Sequence, residues 1–172
     1  VVLVTVSGSA VDAGPDAQRA AAHLQVFYPG ARGGEALGQL LRGDDSPCGR
    51  LPVTFYRSGD TLPDYTDYRM QGRTYRFYEG QPLYPFGFGL SYTTFDYRDL
   101  QLADTVKAGD SLPVEVTVTN TGDRAGRETV QVYVQQTVDG LRTPRYQLCG
   151  VATVALAPGE SRRVCLSLSA YW

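Results

Sequence analysis

The sequence predicts an α/β part, residues 1–90, followed by an all-β part, residues 91–172. Three observations carry that reading. The chain opens on a β-branched run followed by two helix-forming stretches. Its second half alternates apolar and polar residues with period two and has no helical pattern. Between them lies a ring-rich stretch, Arg50 to Phe95, that suits neither period. Eleven of the chain's 12 Tyr, 6 Phe and single Trp fall between residues 65 and 97, interleaved with proline and glycine. Such a composition makes a poor amphipathic helix and a poor repeating strand, but a good ordered connector.

Taken in order, Val1 to Val6 reads as a strand buried on both faces, as in a parallel sheet. Asp16 to Ala22 is alanine-rich and reads as a short helix, and Leu24 to Tyr28 as the next strand, stopped by Pro29 and Gly30; the order is β-α-β. Glu35 to Arg42 places Ala36, Leu37, Leu40 and Leu41 on one face, with an acid in the first turn, a base in the last and Gly43 beyond, which together specify a helix. Leu51 to Tyr56 is read as a further short strand. After the connector, Asp96–Ala103, Leu112–Thr119, Thr129–Val138, Tyr146–Leu156 and Arg162–Ser169 read as strands, separated by turn chemistry at Ala108–Asp110, Asn120–Asp123, Asp139–Gly140 and Ala157–Glu160. Consecutive strands without a helix specify a sandwich.

Composition narrows the function. With 42% apolar and 20% charged residues the chain can build a core. Its 16 basic and 18 acidic residues give a net charge of -2 without a run of one sign, so no nucleic-acid or anionic-membrane partner is expected. VVLVTV is too short to cross a bilayer and lacks a basic flank. Cys48, Cys149 and Cys165 show no CxxC spacing, and free buried thiols are expected. Pairing Val154 with Arg163 across the turn at Pro158 and Gly159 would set Cys165 opposite Ala152, away from Cys149.

Several words in the chain resemble glycoside hydrolase family 3, the β-glucosidases and β-xylosidases. They are FYPGARGGEALGQLLRGDDSPCGRLP (Phe27–Pro52), GRLPVTF (Gly49–Phe55), DYRMQGRTYRF (Asp67–Phe77) and PLYPFGFGLSYTTF (Pro82–Phe95). In the second half NTGDRAGRETVQVYV (Asn120–Val134) and VALAPGESRRV (Val154–Val164) resemble that family's fibronectin type III-like module. The resemblance implies a partial α/β sandwich, a mostly parallel sheet with flanking helices, joined to an incomplete fibronectin type III-like β-sandwich. Such a sandwich takes about seven strands; five are readable before Tyr171 and Trp172, and its last strands are expected to be absent.

The resemblance further implies a β-linked oligosaccharide as the parent enzyme's substrate and an N-terminal barrel domain as this chain's partner. Retaining hydrolysis uses two facing carboxyl groups. In the family the nucleophilic aspartate belongs to the barrel, and the acid/base glutamate, where it lies in the α/β domain, precedes the strand that Val1–Val6 resembles. No position here matches either, so no catalytic residue is expected. The residues agree. Of the five glutamates, Glu35 sits in a first helical turn that favours its ionised form, opposite to a general acid's need; Glu115, Glu128 and Glu160 read as solvated surface groups. Asp60, Asp64 and Asp67 form an acidic loop without the dense oxygen ligands and bidentate glutamate of a calcium site. His23 has no nucleophile signature nearby, and no metal or cofactor is expected. Arg69, Arg73 and Arg76 alternate with Tyr68, Tyr75 and Tyr78, a mixture suited to sugar stacking or to structural cation-π contacts. Arg69, Arg73 and Tyr75 are the substrate-proximal candidates. A stand-alone carbohydrate- or protein-binding module, and a rearranged enzyme with these domains ahead of the barrel, remain as alternative readings.

Overall fold

The computed structural model describes residues 1–60, 62–107 and 109–169. The chain divides into two compact units. One comprises Val1–Arg42 and Leu51–Phe88; the other comprises Gly43–Arg50 and the residues from Gly89 onward. The linear division at residue 90 read from the sequence is thus crossed by residues 43–50. Ala108, Tyr171 and Trp172, named in the sequence reading, lie outside the described residues.

The first unit begins with β1 (Val2–Thr5), α1 (Gly14–Arg19) and β2 (Ala22–Gln25). β1 and β2 pair in parallel with Val2 opposite Ala22. The expected β-α-β order is present, but its bounds shift for physical reasons. Gly14 donates its N–H to Asp12 Oδ1 at 2.8 Å and Pro15 follows, so the helix starts earlier than Asp16. The amide of Ala21 bonds to Val1 O at 2.8 Å, drawing the alanines into the parallel ladder in place of the helix. β2 stops at Gln25, short of Tyr28, because Phe27 turns to φ 46. The parallel pair has two strands, and the other sheets are antiparallel, so a mostly parallel sheet is not what the described residues form. Nor is β1 buried on both faces: Val1, Val2 and Val6 are exposed.

α2 (Gly33–Arg42) matches the expected helix, with Leu37 and Leu40 half-buried and Leu41 exposed. Leu51–Tyr56 is not a strand. Pro52 has no amide to continue a ladder, and residues 51–55 instead meet 83–88 through separate bonds: Leu51 N to Phe88 O and Gly87 N to Leu51 O at 2.8 Å, and Phe55 N to Tyr84 O at 2.9 Å. Gly87 makes this possible at φ 81. The rings of the connector pack on one another: Tyr75 stacks on Phe86 at 4.0 Å, Tyr84 on Phe88 at 5.4 Å, and Phe55 meets Tyr84 edge-on at 6.1 Å.

In the β unit β3 (Phe95–Leu102), β4 (Ser111–Asn120) and β7 (Ser161–Ser169) form one sheet in the order β3-β4-β7, while β5 (Gly126–Val134) and β6 (Gln147–Leu156) form another. All five expected strands exist. Val116, Val118, Val130, Val154, Leu156 and Val164 from both sheets make the core. The expected β6–β7 hairpin does not form: Arg163 lies opposite Thr117 and Cys165 opposite Glu115, both on β4, and Val154 lies opposite Glu128 on β5. The turn at Ala157–Glu160 therefore crosses from one sheet to the other, as sandwich connections do. The three cysteines are free, but Cys165 is exposed and Cys48 and Cys149 are half-buried, so the expectation of buried thiols fails.

Asn120 closes the β unit. It is fully buried, and its Oδ1 accepts from Thr93 Oγ1 at 2.7 Å and Gly122 N at 3.1 Å. Its Nδ2 donates to Arg124 O at 2.7 Å and Leu156 O at 3.1 Å. Every polar site of the side chain is used. Asn120→Ala removes four hydrogen bonds, two of them to the buried Thr93 and Leu156, and should lower stability by about 3 kcal/mol, read by urea denaturation followed by circular dichroism, whereas Thr121→Ala on the exposed side of the same turn should change it by less than about 0.5 kcal/mol.

Candidate functional site: an arginine- and tyrosine-rich loop

Asp60 to Tyr78 combines three aspartates and three arginines with five aromatic residues, and short local bonds give it its shape. Asp60 Oδ2 accepts from Arg57 N and from the Tyr78 hydroxyl, both at 2.8 Å. Asp64 Oδ1 accepts from Thr66 N at 2.9 Å and Thr66 Oγ1 at 2.6 Å. Asp67 repeats the turn with Arg69 N at 3.0 Å, and its two oxygens also receive Arg69 Nε at 2.9 Å and Nη2 at 2.7 Å in a bidentate fork. Aspartates at such spacing are natural turn formers, so this geometry is written into PDYTDYR.

Arg73 plays a different part. Its Nη2 donates to the carbonyls of Asp64 and Asp67, each at 2.7 Å, and of Pro63 at 3.3 Å, so one guanidinium gathers three backbone oxygens of the loop. Its Nε is buried without a partner. The next residue, Thr74, begins the single-turn α3 (Thr74–Phe77) at φ 53, an unfavourable value for a β-branched side chain. Its amide is held by the Tyr56 hydroxyl at 2.7 Å, and Tyr56 in turn meets Tyr78 edge-on at 4.9 Å.

The three expected substrate-proximal residues are therefore placed in three situations. Arg69 is presented to solvent, with its side chain 81% exposed. Arg73 is occupied by the loop's own backbone, and Tyr75 is half-buried against Phe86. Tyr68, named in the arginine–tyrosine mixture but not among the candidates, lies within the Asp67–Arg69 fork, and Tyr65, not singled out as a candidate, precedes it; they stand 88% and 91% exposed. Their place at successive aspartate turns was the available signal.

Electrostatics oppose acid catalysis here. Arg69 bonds hold the Asp67 carboxyl well below the ordinary carboxylate range, and the Thr66 hydroxyl and amide lower that of Asp64. Glu35 is lowered by the Arg32 guanidinium at 2.7 Å. Glu115 and Glu160 also lie against arginines, Arg163 and Arg162. Glu128, expected at the surface, is buried: its Oε2 pairs with Arg50 Nη2 at 2.7 Å. Its position on an alternating strand gave no warning, because the arginine that compensates it lies 78 residues earlier. Among the described residues no three His, Cys, Asp or Glu side chains come together as a metal site, and no helix is long and apolar enough to cross a membrane.

Residues 1–92 match the glycosyl hydrolase family 3 C-terminal domain and residues 128–171 the fibronectin type III-like domain. A xylan 1,4-β-xylosidase of Xylanibacter ruminicola is 40% identical over 98% of this chain and 19% of its own length. A periplasmic β-glucosidase of Salmonella typhimurium is 36% identical over 95% of this chain and 23% of its own. Among solved structures, the β-D-glucoside glucohydrolase of Trichoderma reesei superposes with TM-score 0.87 at 28% identity, over 98% of this chain and 28% of that one. The chain belongs to glycosyl hydrolase family 3. It spans about a fifth of the length of these two curated relatives.

Asp64 and Asp67 titrate below their unfolded values, so their bonds stabilise the loop fully above the ordinary aspartate range and are lost as pH falls through the lowered folded values. Amide exchange at Thr66 and Arg69 should accordingly accelerate, relative to β4 amides, as the pH is taken below about 4; a rise of both together would remove the loop's carboxylates from the explanation.

Proposed function

We propose that this chain is the C-terminal, non-catalytic portion of a retaining, exo-acting β-glycosidase that removes terminal β-linked glucose or xylose from oligosaccharides. The observation that carries this reading is the near-complete alignment of the chain with one-fifth of a β-xylosidase, combined with the state of its own carboxylates. Retaining hydrolysis needs one carboxylic acid kept protonated and one ionised carboxylate facing it. Here Glu35, Glu115, Glu128 and Glu160 are each paired with arginine, and Asp64 and Asp67 are held ionised. The nucleophilic aspartate belongs to the N-terminal barrel of the parent enzyme, which is this chain's partner, and the acid/base glutamate also lies outside these 172 residues. Neither nucleic acid nor membrane has a role.

The parallel β1–β2 pair is the tail of a mostly parallel sheet flanked by helices. Exposed Val1, Val2 and Val6 support this, because parallel strands are ordinarily covered on both faces. The loop serves the parent's substrate from outside the reacting bond. Arg69 is its donor and Tyr65 and Tyr68 its stacking surfaces, while Arg73 and Tyr75 set the loop's shape. Strain at Thr74 fits a segment shaped for a ligand.

A stand-alone sugar-binding module is the second reading, favoured by the same exposed tyrosines. The two readings separate experimentally. The 172-residue chain alone should not hydrolyse aryl β-glucosides or β-xylosides; turnover abolished by Glu35→Gln or Glu79→Gln would overturn its non-catalytic assignment. In the full-length enzyme Arg69→Ala should raise KM for an oligosaccharide by about tenfold, the equivalent of one lost charge-assisted contact, with kcat little changed. An unchanged KM there, with calorimetric binding of xylo- or cello-oligosaccharide by the chain alone, would favour the module.

A further inference from the structure

Residues Gly43–Arg50 have no regular secondary structure, yet they pack with the β unit although they precede Leu51 of the first. Their contacts run in a row. Arg127 Nη2 donates to Asp45 Oδ2 at 3.1 Å. The Ser46 hydroxyl lies 2.8 Å from that of Ser91 and accepts from Tyr92 N at 3.1 Å. Thr129 Oγ1 donates to Cys48 O at 2.7 Å. Gly89 has no side chain for a packing reason: a Cβ there would lie 2.3 Å from Gly49 O.

The row ends on a charge. Arg50 and Glu128 keep only 12% and 10% of their side-chain surface exposed, and Nη2 meets Oε2 at 2.7 Å. The other carboxylate oxygen, Oε1, accepts from the Tyr97 hydroxyl at 2.8 Å. Burial and the Glu128 carboxylate push the Tyr97 phenol up, so it remains a donor throughout the working pH range. Glu128 thus has one oxygen fixed by β3 and one offered to an incoming cation. Without that cation a buried carboxylate stands uncompensated, which costs far more than an exposed pair returns. A planar guanidinium suits the seat: while Nη2 serves the carboxylate, Nη1 donates to Gly49 O at 3.1 Å.

We propose that Glu128 and Tyr97 form a guanidinium-binding site on the β unit, whose resident ligand is Arg50, and that residues 43–50 are a strap docked by it. The ligand class is an arginine side chain at the end of an extended segment. Detachment of the strap would expose Cys48, which makes the state measurable.

In the 172-residue chain, Arg50→Ala should speed alkylation of Cys48 by about tenfold, one factor of ten per 1.4 kcal/mol of lost docking, with Cys149 and Cys165 unchanged by peptide mapping. Ethylguanidinium should raise the unfolding midpoint of Arg50→Ala and not that of Arg50→Ala/Glu128→Gln, and ethylammonium should raise neither. Equal acceleration at all three cysteines, an unchanged Cys48 rate, or an equal response of the two variants to ethylguanidinium overturns the proposal. Should Arg50→Ala not fold, Arg50→Lys decides: an intermediate Cys48 rate supports a guanidinium-selective seat, and the wild-type rate overturns it. None of these readouts depends on glycosidase activity.

Discussion

A single buried amide organises the β unit. Asn120 terminates β4, and its side chain reaches the loop before β5, the last residue of β6 and Thr93 ahead of β3. Its backbone adds two bonds to the turn between β6 and β7, Asn120 N to Glu160 O at 3.0 Å and Gly159 N to Asn120 O at 2.9 Å. Two chain segments distant in sequence, around Thr93 and around Leu156–Glu160, thus meet the turn after β4 through one residue at one end of the sandwich. A hydrophobic core of valines tolerates small changes of register and volume; a saturated amide network does not. The apolar residues drive the two sheets together, and Asn120 fixes how they meet.

The same logic explains why Glu128 is tolerated inside. An isolated buried carboxylate would be unacceptable, but here the charge has a cation on one oxygen and a phenol on the other. That arrangement contributes little net stability over an apolar pair. What it supplies is selectivity, since only a segment bringing a cation to that point can dock without leaving the acid unpaired. Ser46 and Thr129 add directional bonds that hold register but carry no charge.

The sequence was legible where local chemistry decides structure. Strand periodicity located all five strands of the β unit, and the charge and apolar pattern of Glu35–Arg42 located α2. It was misleading where distant partners decide. Alanine at 20–22 favours helix, but Ala20 closes α1 and the parallel ladder at Val1 and Val2 takes Ala21 and Ala22. The turn at Pro158 and Gly159 reads as a hairpin, yet β7 pairs with β4, because core valines on both strands are buried only when the chain changes sheets. Glu128 follows an arginine in a strand that alternates, and only the fold brings Arg50 to it.

The loop shows why a pattern of arginine and tyrosine could not by itself rank its members. Arg69 and Arg73 stand four residues apart in similar neighbourhoods, and both lie near aspartate. Arg69 can be satisfied by one carboxylate in water, so its side chain stays outside. Arg73 meets carbonyls that face inward once the two aspartate turns have formed, and those oxygens would otherwise be poorly solvated. The turns come first, being local, and they sort the cations: the one that finds backbone acceptors becomes scaffold, and the one that finds a surface carboxylate stays exposed. Tyr65 and Tyr68 are exposed for the same reason, since each follows an aspartate whose turn directs the next side chain outward. Exposed side chains and scaffold in this loop are therefore two outcomes of one set of turns.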